Sequence, residues 1–570
     1  MMRLHPEDIQ GKELCYLLTV EYLGKPYRFS TIPIDIQDPA TGQLHRYNGG
    51  LGDPSIEQQT EIVGFNIDSN TVSLELVFDD VDWIAEWLAN RTLEQSPAML
   101  SMVMVSDGKT TFTEQDKVPL FSGKVIDPII GTPTKPKGNI IFAIENGLNV
   151  TKRKLLANSF EIDPFVFPGL DQRAAALGRM IQYPVGKYVP FVFGALGAWF
   201  IRDTSKSYEV VKDAKVTPTY IIDTSGSGAS LAITLILAMG EVDANRITIY
   251  DQDGGYFTDY VRTATNADGI LYSYARYQSG SVLVDNGFVP ALDEDQTFWA
   301  SWANHGEGSQ DPITGQSLNL GGNLCIYILE LTGLQFNRSA WEGLRPVLNR
   351  YKFAGYVNDP EVIALEWLQD NLIKYLPIEV FNGPAGLEPR LNLYYQSEEV
   401  NPSFYITESG MFDIVTGLQP LSIEPINKVT VKFCYEGQNN HYLSTIVIDP
   451  TVSSKNVNPF LAKDPVSDLS FSRFGLRETV LELPFVWDMN TAYRIARDVI
   501  RISGLGAYGI EISAFPAFGY LEVGDVIAFT SSQFGLNEHK CQVVSKSWTD
   551  GKWRFILHLE SNPLVNPRLV

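Results

Sequence analysis

The chain is short of the residues that most catalysis and most nucleic-acid binding require. Of its 570 residues only 4 are cysteine and 6 are histidine. Cys15, Cys325, Cys434 and Cys541 are scattered without CxxC spacing, which gives neither a disulfide framework nor a zinc pattern. They read as small buried apolar residues in a chain folded under reducing conditions. His539 stands two residues from Cys541 and His441 seven from Cys434, and neither pair has ligand spacing. Cations are also in deficit: 44 lysines and arginines face 67 aspartates and glutamates, a formal net charge of -23. Gripping DNA or RNA through phosphates needs clustered Lys and Arg, so sequence-specific nucleic-acid binding is not expected. An acidic wall would instead repel a polyanion and keep it from sticking to a conduit. Long apolar runs are missing as well. The most apolar stretches, 189–201 (VPFVFGALGAWFI) and 229–240 (ASLAITLILAMG), fall short of the roughly 20 residues a membrane span needs. Residues 1–11 (MMRLHPEDIQG) lack the apolar core of a secretory signal.

Sequence signatures of enzymes are missing too. The P-loop, GxGxxG after a strand, HExxH and the GxSxG elbow do not occur, so neither a catalytic residue nor a cofactor or metal site is expected. Three weaker constellations were weighed. Residues 251–255 (DQDGG) put two carboxylates before a glycine turn, as calcium loops do, but lack the later ligands and read as a solvated hairpin turn. Residues 225–230 (SGSGAS) carry no lysine and precede no clear helix, which suits a flexible loop better than an anion cradle. The acidic groups Asp79/Asp80, 293–295 (DED) and Glu398/Glu399 could pair as a glycosidase acid and base, but read as surface charge.

Aromatic residues and turn formers are plentiful. Aromatics reach 12%, and 46 glycines and 32 prolines are spread along the whole length, a composition that suits many short strands joined by turns. A single core stops growing at roughly 250–300 residues, so several domains are expected. The first, 1–150, reads as a compact β-barrel or sandwich. Its strands are 16–22, 27–36, 72–78, 99–105, 119–125 and 139–145, with one helix at 81–89. Residues 151–320 read as a mixed α/β and β-rich insertion, with a helix at 170–181, a loop at 182–193 and strands near 220–223, 232–237, 246–250, 269–274 and 281–284. Apolar residues then recur at helical spacing. In 361–375 (EVIALEWLQDNLIKY) Ile363, Trp367, Leu368 and Ile373 form one stripe, and 321–420 is assigned to a small helical subdomain and connecting segment, with a Gly/Pro loop at 382–389. The last unit, 421–570, is expected to be barrel-like with one helix at 486–502. It opens with strand 428–435 and a loop rich in Ser, Asp and Pro, and ends in strands 509–512, 526–530, 541–547 and 553–559. Asp550-Gly551 between the last two is a strong hairpin signal. The fold class is therefore β-rich α+β and multidomain.

The closing stretch carries a specific resemblance. Residues 474–484 (FGLRETVLELP), 491–502 (TAYRIARDVIRI), 520–530 (YLEVGDVIAFT), 534–536 (FGL) and 540–544 (KCQVV) resemble, in this order, the closing domain of phage tail hub proteins. The positions that carry the motif are Gly475, Arg477, Gly524, Asp525, Val526, Gly535 and Leu536. Residues 119–145 are similar to the N-terminal barrel of those hubs, 323–377 to their helical subdomain, and 186–194 (GKYVPFVFG) to a further segment. The resemblance implies a non-enzymatic virion protein of the tail tip or baseplate, assembled in the host cytoplasm. It further implies a homotrimer, with two barrel-like hub domains per chain making a pseudo-sixfold ring that lines or gates the DNA path. The implied neighbours are a distal tail protein, a tape-measure protein and a central fibre or receptor-binding protein. The alternative from the residues themselves is a carbohydrate-active or polysaccharide-binding β-protein of a virion, prompted by the carboxylates and by Trp299 within 296–304 (QTFWASWAN). A tail protein with a built-in peptidoglycan hydrolase is disfavoured because no separate enzyme domain is evident.

Overall fold

The computed structural model describes residues 12–22, 24–59, 71–78, 93–106, 112–130, 138–145, 154–156, 162, 167, 187–194, 217–225, 232–244, 246–251, 253, 255–278, 280–288, 298–301, 306–309, 316–333, 335–383, 385–394, 404–407, 412–421, 424–453, 460–549 and 552–559. The helices expected at 81–89 and 170–181 lie outside them, as do the acidic groups at 79–80, 293–295 and 398–399, most of 225–230, and the Asp550-Gly551 turn.

Strands dominate the described residues, as the composition led us to expect. The alternation in Thr71–Phe78 buries Val72, Leu74 and Leu76 and leaves Ser73 and Glu75 outside. Its antiparallel partner, Gly138–Glu145, sets Ile144, Phe142 and Ile140 opposite those three residues, so each cross-strand pair buries two apolar side chains on one face. Sheet growth continues from there through Val118–Ile130, Pro97–Ser106, Lys12–Tyr22 and Lys25–Ser30. The expected strand 27–36 is broken in two, Lys25–Ser30 and Ile34–Gln37, with Pro33 in the break.

The C-terminal strands join the same sheet. Leu536–Thr549 pairs antiparallel with Ser55–Gln59 through Ser545–Gln59, Lys546–Gln58 and Ser547–Glu57. Beyond it follow Lys552–Leu559, Tyr508–Ala514 and the edge strand Phe412–Pro420, while Val526–Ser531 takes Phe404–Thr407 as a parallel partner. Among the described residues this sheet holds 16 strands. Its larger core packs Tyr16, Leu74 and Phe142 from the N-terminal strands with Phe518, Trp553 and Phe555 from the C-terminal ones, and a smaller one holds Cys15, Leu17, Ile36, Tyr47, Val103 and Phe112.

A second core gathers the helices with an eight-stranded and a four-stranded sheet. Five α-helices are present among the described residues: α1 (Gly321–Thr332), α2 (Arg338–Leu348), α3 (Ala364–Asn371), α4 (Pro465–Phe474) and α5 (Met489–Ser503). Leu324, Ile328, Trp341 and Trp367 of α1–α3 meet Ile233, Leu235 and Phe298 of an eight-stranded sheet built from residues 217–301. The same core holds Val431 and Phe433 of a four-stranded sheet, against which α5 lays Ala492, Ile495, Ala496 and Ile500. Capping fixes where the helices start. Asp488 accepts from the Thr491 N–H at 2.8 Å at the head of α5, and Asn337 accepts from Ala340 N–H at 3.2 Å at the head of α2.

Three departures from the sequence expectations have local causes. The segment read as a Ser/Asp/Pro loop contains α4, which Asp464 caps by accepting from Val466 N–H at 2.9 Å, with Pro465 in the first turn where a missing N–H costs nothing. The Gly/Pro loop assigned to 382–389 is a hairpin, Ile378–Gly383 with Gly386–Leu391, and Gly386 at φ +100° supplies the left-handed residue its tight turn needs. Within the loop assigned to 182–193, Phe191–Phe193 forms a short strand against Gly355–Val357, beginning just after Pro190. No helix among the described residues is long and apolar enough to cross a membrane.

Candidate functional site

The hairpin 378–391 has two unlike faces. Ile378, Val380, Leu387 and Leu391 enter the second core, whereas Glu379, Phe381, Glu388 and Arg390 lie on the opposite face because directly paired residues share a side. That polar face rests on the turn 521–525 and the strand Leu536–Thr549 of the large sheet. The result is a buried seam in which four carboxylates, Glu379, Glu388, Glu522 and Asp525, meet two cations, Arg390 and Lys546.

Each group in the seam has a defined partner. Arg390 Nη1 donates to Asp525 Oδ1 at 2.9 Å and Nη2 to Glu522 Oε2 at 3.4 Å, and its guanidinium lies 5.0 Å from the centre of the Phe381 ring. The second Asp525 oxygen accepts from Glu522 N–H at 2.9 Å. Lys546 Nζ donates to the Gly519 carbonyl at 2.7 Å and stands 4.5 Å from the Trp553 ring centre. Gln542 bridges the two bodies: its Nε2 donates to Glu379 Oε2 at 3.0 Å, and its Oε1 accepts from Leu393 N–H at 3.2 Å. Glu388 accepts from Asn337 Nδ2 at 2.7 Å, which ties the seam to the head of α2.

Burial and the surplus of carboxylates set the protonation of the seam. Burial pushes the Glu379 carboxyl up to about 8. The Glu522 carboxyl is raised by burial and by the Asp525 charge, against the pull of Lys546 and Arg390. Asp525 is raised by burial despite Arg390, and Lys546 is lowered by burial although Glu522 and Asp525 favour its charge. Close by, His558 lies buried with Nε2 3.2 Å from the Tyr394 hydroxyl, and burial lowers it to about 4. Arg390, Glu379 and Gln542 fasten one body to the other, and Lys546 braces the large-sheet side.

The sequence motif positions divide into two places. Gly524, Asp525 and Val526 belong to the seam: Gly524 adopts φ +89°, donates to Val543 O at 2.7 Å, and faces Arg390 and Phe381, and Val526 begins the strand that follows. Gly535, at φ +66°, and Leu536 lie at the far end of that strand, in its hairpin with Leu536–Thr549. Gly475 and Arg477 are elsewhere, in the link from α4 to the edge strand Glu478–Glu482 of the four-stranded sheet. Gly475 ends α4 at φ +70°, and buried Asn427 clamps both residues, donating to Gly475 O at 2.7 Å and accepting from Arg477 N–H at 2.9 Å. Arg390, Lys546, Glu379, Glu522, Gln542 and Asn427 were not singled out from the sequence. One signal is readable: in 387–391 (LEPRL) the charged Glu388 and Arg390 alternate with apolar residues.

The weaker constellations resolve as follows. Asp251 and Gly255 do close a hairpin between Arg246–Tyr250 and Tyr256–Tyr260, with Asp251 N–H donating to Gly255 O at 2.9 Å, but Asp251 is buried where a solvated turn was expected. Trp299 is partly buried in a strand flanked on both sides. His539 and all four cysteines are buried, and no group of three or more potential ligands that could hold a metal occurs among the described residues.

No family model matches the chain, and neither does any curated protein. Among solved structures it aligns with a tail protein from Neisseria meningitidis MC58 at 8% identity over 97% of this chain and 98% of that one, with a TM-score of 0.36. The 43 kDa tail protein of prophage MuSo2 from Shewanella oneidensis aligns at 9% identity over 96% and 98%, with a TM-score of 0.35. A chain of a gene transfer agent virion aligns at 11% identity over 67% and 86%, with a TM-score of 0.37. Alignments at these TM-scores do not by themselves establish a shared fold.

Proposed function

We propose that this chain is a structural component of a phage tail tip or baseplate, the central hub that joins the tail tube to a central fibre or receptor-binding protein. In this reading three copies surround the tail axis, the distal tail protein and tape-measure protein are neighbours, and the acidic surface lines or gates the DNA path. The observation that carries it is the ordered resemblance between 474 and 544 to the closing domain of tail hub proteins. The fold lends support. Strands from 12–145 join strands from 404–420 and 508–559 in one sheet and share its larger core, which sets an N-terminal and a C-terminal β unit side by side, as a threefold ring with pseudo-sixfold symmetry requires. The seam lends support of another kind, because its buried charges fasten two bodies together and so suit a rigid assembly part. Native mass in solution tests the proposal. A species of three times the 63.6 kDa chain mass is expected, and a strict monomer that is also missing from purified particles overturns it.

A further inference from the structure

The four-stranded sheet ends in an open edge. Among the described residues its last strand, Glu478–Glu482, pairs on one side only, parallel to Lys428–Glu436. Lys428 N–H donates to Arg477 O at 2.9 Å and Leu483 N–H donates to Lys432 O at 2.9 Å. Odd-numbered residues therefore spend their backbone groups on the sheet, and the N–H and C=O of Glu478, Val480 and Glu482 point outward. Natural sheets usually cover or blunt such an edge. Here Val480 on the strand is 56% exposed and Leu476, just before it, 48%.

The charges on the strand decide what fits. Glu478 and Glu482 flank Val480 on the outer face, paired with Lys428 at 3.1 Å and Lys432 at 2.9 Å, yet more than half of each carboxylate side chain stays exposed. A second copy of this strand, added antiparallel about Val480, would set Glu478 against Glu482 twice, and like charges directly opposite one another are destabilising. The net charge of -23 disfavours the same pairing at longer range. An extended segment with an apolar residue between two basic ones meets both requirements.

We infer that the edge Glu478–Glu482 is a docking site for an extended segment of another protein, which adds to the sheet as a further strand and sets Lys or Arg against Glu478 and Glu482. The inference goes beyond the tail-hub reading and does not depend on it. Val480 inserts no hydrogen bond into its own sheet, so replacing it by proline removes an outward donor and leaves the existing ladder intact.

The test uses the full chain and two synthetic heptapeptides, Thr-Lys-Thr-Val-Thr-Lys-Thr and the same peptide with Glu for Lys. Amide hydrogen exchange is followed with each peptide at about 1 mM, a concentration that detects even weak strand addition. The basic peptide is expected to slow exchange at Glu478, Val480 and Glu482 at least tenfold and to leave Thr479 and Leu481 unchanged. V480P is expected to weaken that binding at least tenfold. The double substitution E478K with E482K is expected to transfer the preference to the acidic peptide, which keeps the test decisive if V480P does not fold. No slowing at these three amides overturns the inference, as does equal protection by both peptides. Protection that appears without peptide and grows with protein concentration identifies a second copy as the occupant and also overturns it.

Discussion

Arg390 Nη1 lies 2.9 Å from Asp525 Oδ1, a contact across 135 residues that joins the hairpin of the second core to the turn of the large sheet. Removing Arg390 leaves Asp525 and Glu522 buried with less compensation. Arg390→Ala should therefore destabilise the fold by about 2–3 kcal/mol, the low end for a broken buried pair because a third of the Arg390 side chain remains exposed. Arg390→Lys should restore only part of this, since a lysine cannot reach both carboxylates with a planar fork. Urea unfolding at neutral pH measures both.

Glu379 predicts a loss of stability as pH rises from about 4.5 to about 8. Its folded carboxyl is raised to about 8 from the usual 4.5, so the folded state holds the proton more tightly than the unfolded chain does. The stability it contributes is fully present below about pH 4.5 and is lost as pH rises through about 8, at most about 1.4 kcal/mol per pH unit in that window. Glu379→Gln keeps an oxygen for the Gln542 amide but cannot ionise. Its unfolding midpoint should exceed that of the natural protein by a margin that grows from pH 5 to pH 8.

His558 has the opposite sign. Its imidazole is lowered from 6.5 to about 4, so the stability it gives is present above pH 6.5 and is lost as pH falls through about 4. His558→Phe gives up the contact with the Tyr394 hydroxyl, about 1 kcal/mol at pH 7, but should flatten the acid limb of the stability profile. Unfolding curves between pH 4 and pH 7 separate the two effects.

Gly524 is a motif residue whose backbone conformation and close neighbours both resist a side chain. At φ +89° an alanine pays about 1–2 kcal/mol, and its methyl group would stand 3.2 Å from Arg390 Cγ and 3.5 Å from the Phe381 ring. Gly524→Ala should therefore lower stability by at least that amount. Gly535→Ala, at φ +66° but with nothing within 4 Å, should cost the backbone term alone.

What the sequence revealed depended on distance along the chain. The alternation in 72–78, the helical face of Ala492, Ile495 and Ala496, and the pair Leu536–Thr549 with Lys552–Leu559 are local patterns, and each was legible before the structure. Two strands escaped because their partners are remote: Phe404–Thr407 pairs with Val526–Ser531, and Phe412–Pro420 with Tyr508–Ala514. The pairing of Ser55–Gln59 with Leu536–Thr549 has no local signature at all. In α4 the start signal, Asp464-Pro465, was present, but much of the helix faces solvent and gives no strong apolar period. The seam was hidden for a related reason. Lys546 and Arg390 look like ordinary surface charges until two distant segments are seen to enclose them with Glu522 and Asp525.

The most direct test of the tail-hub account is a density map of a purified phage tail tip in which this chain can be traced. The account predicts three copies around the tail axis, between the tube and the central fibre, with acidic side chains facing the channel. A well-resolved tail tip in which the chain is missing, or in which it occupies a peripheral position without threefold contacts, would contradict it.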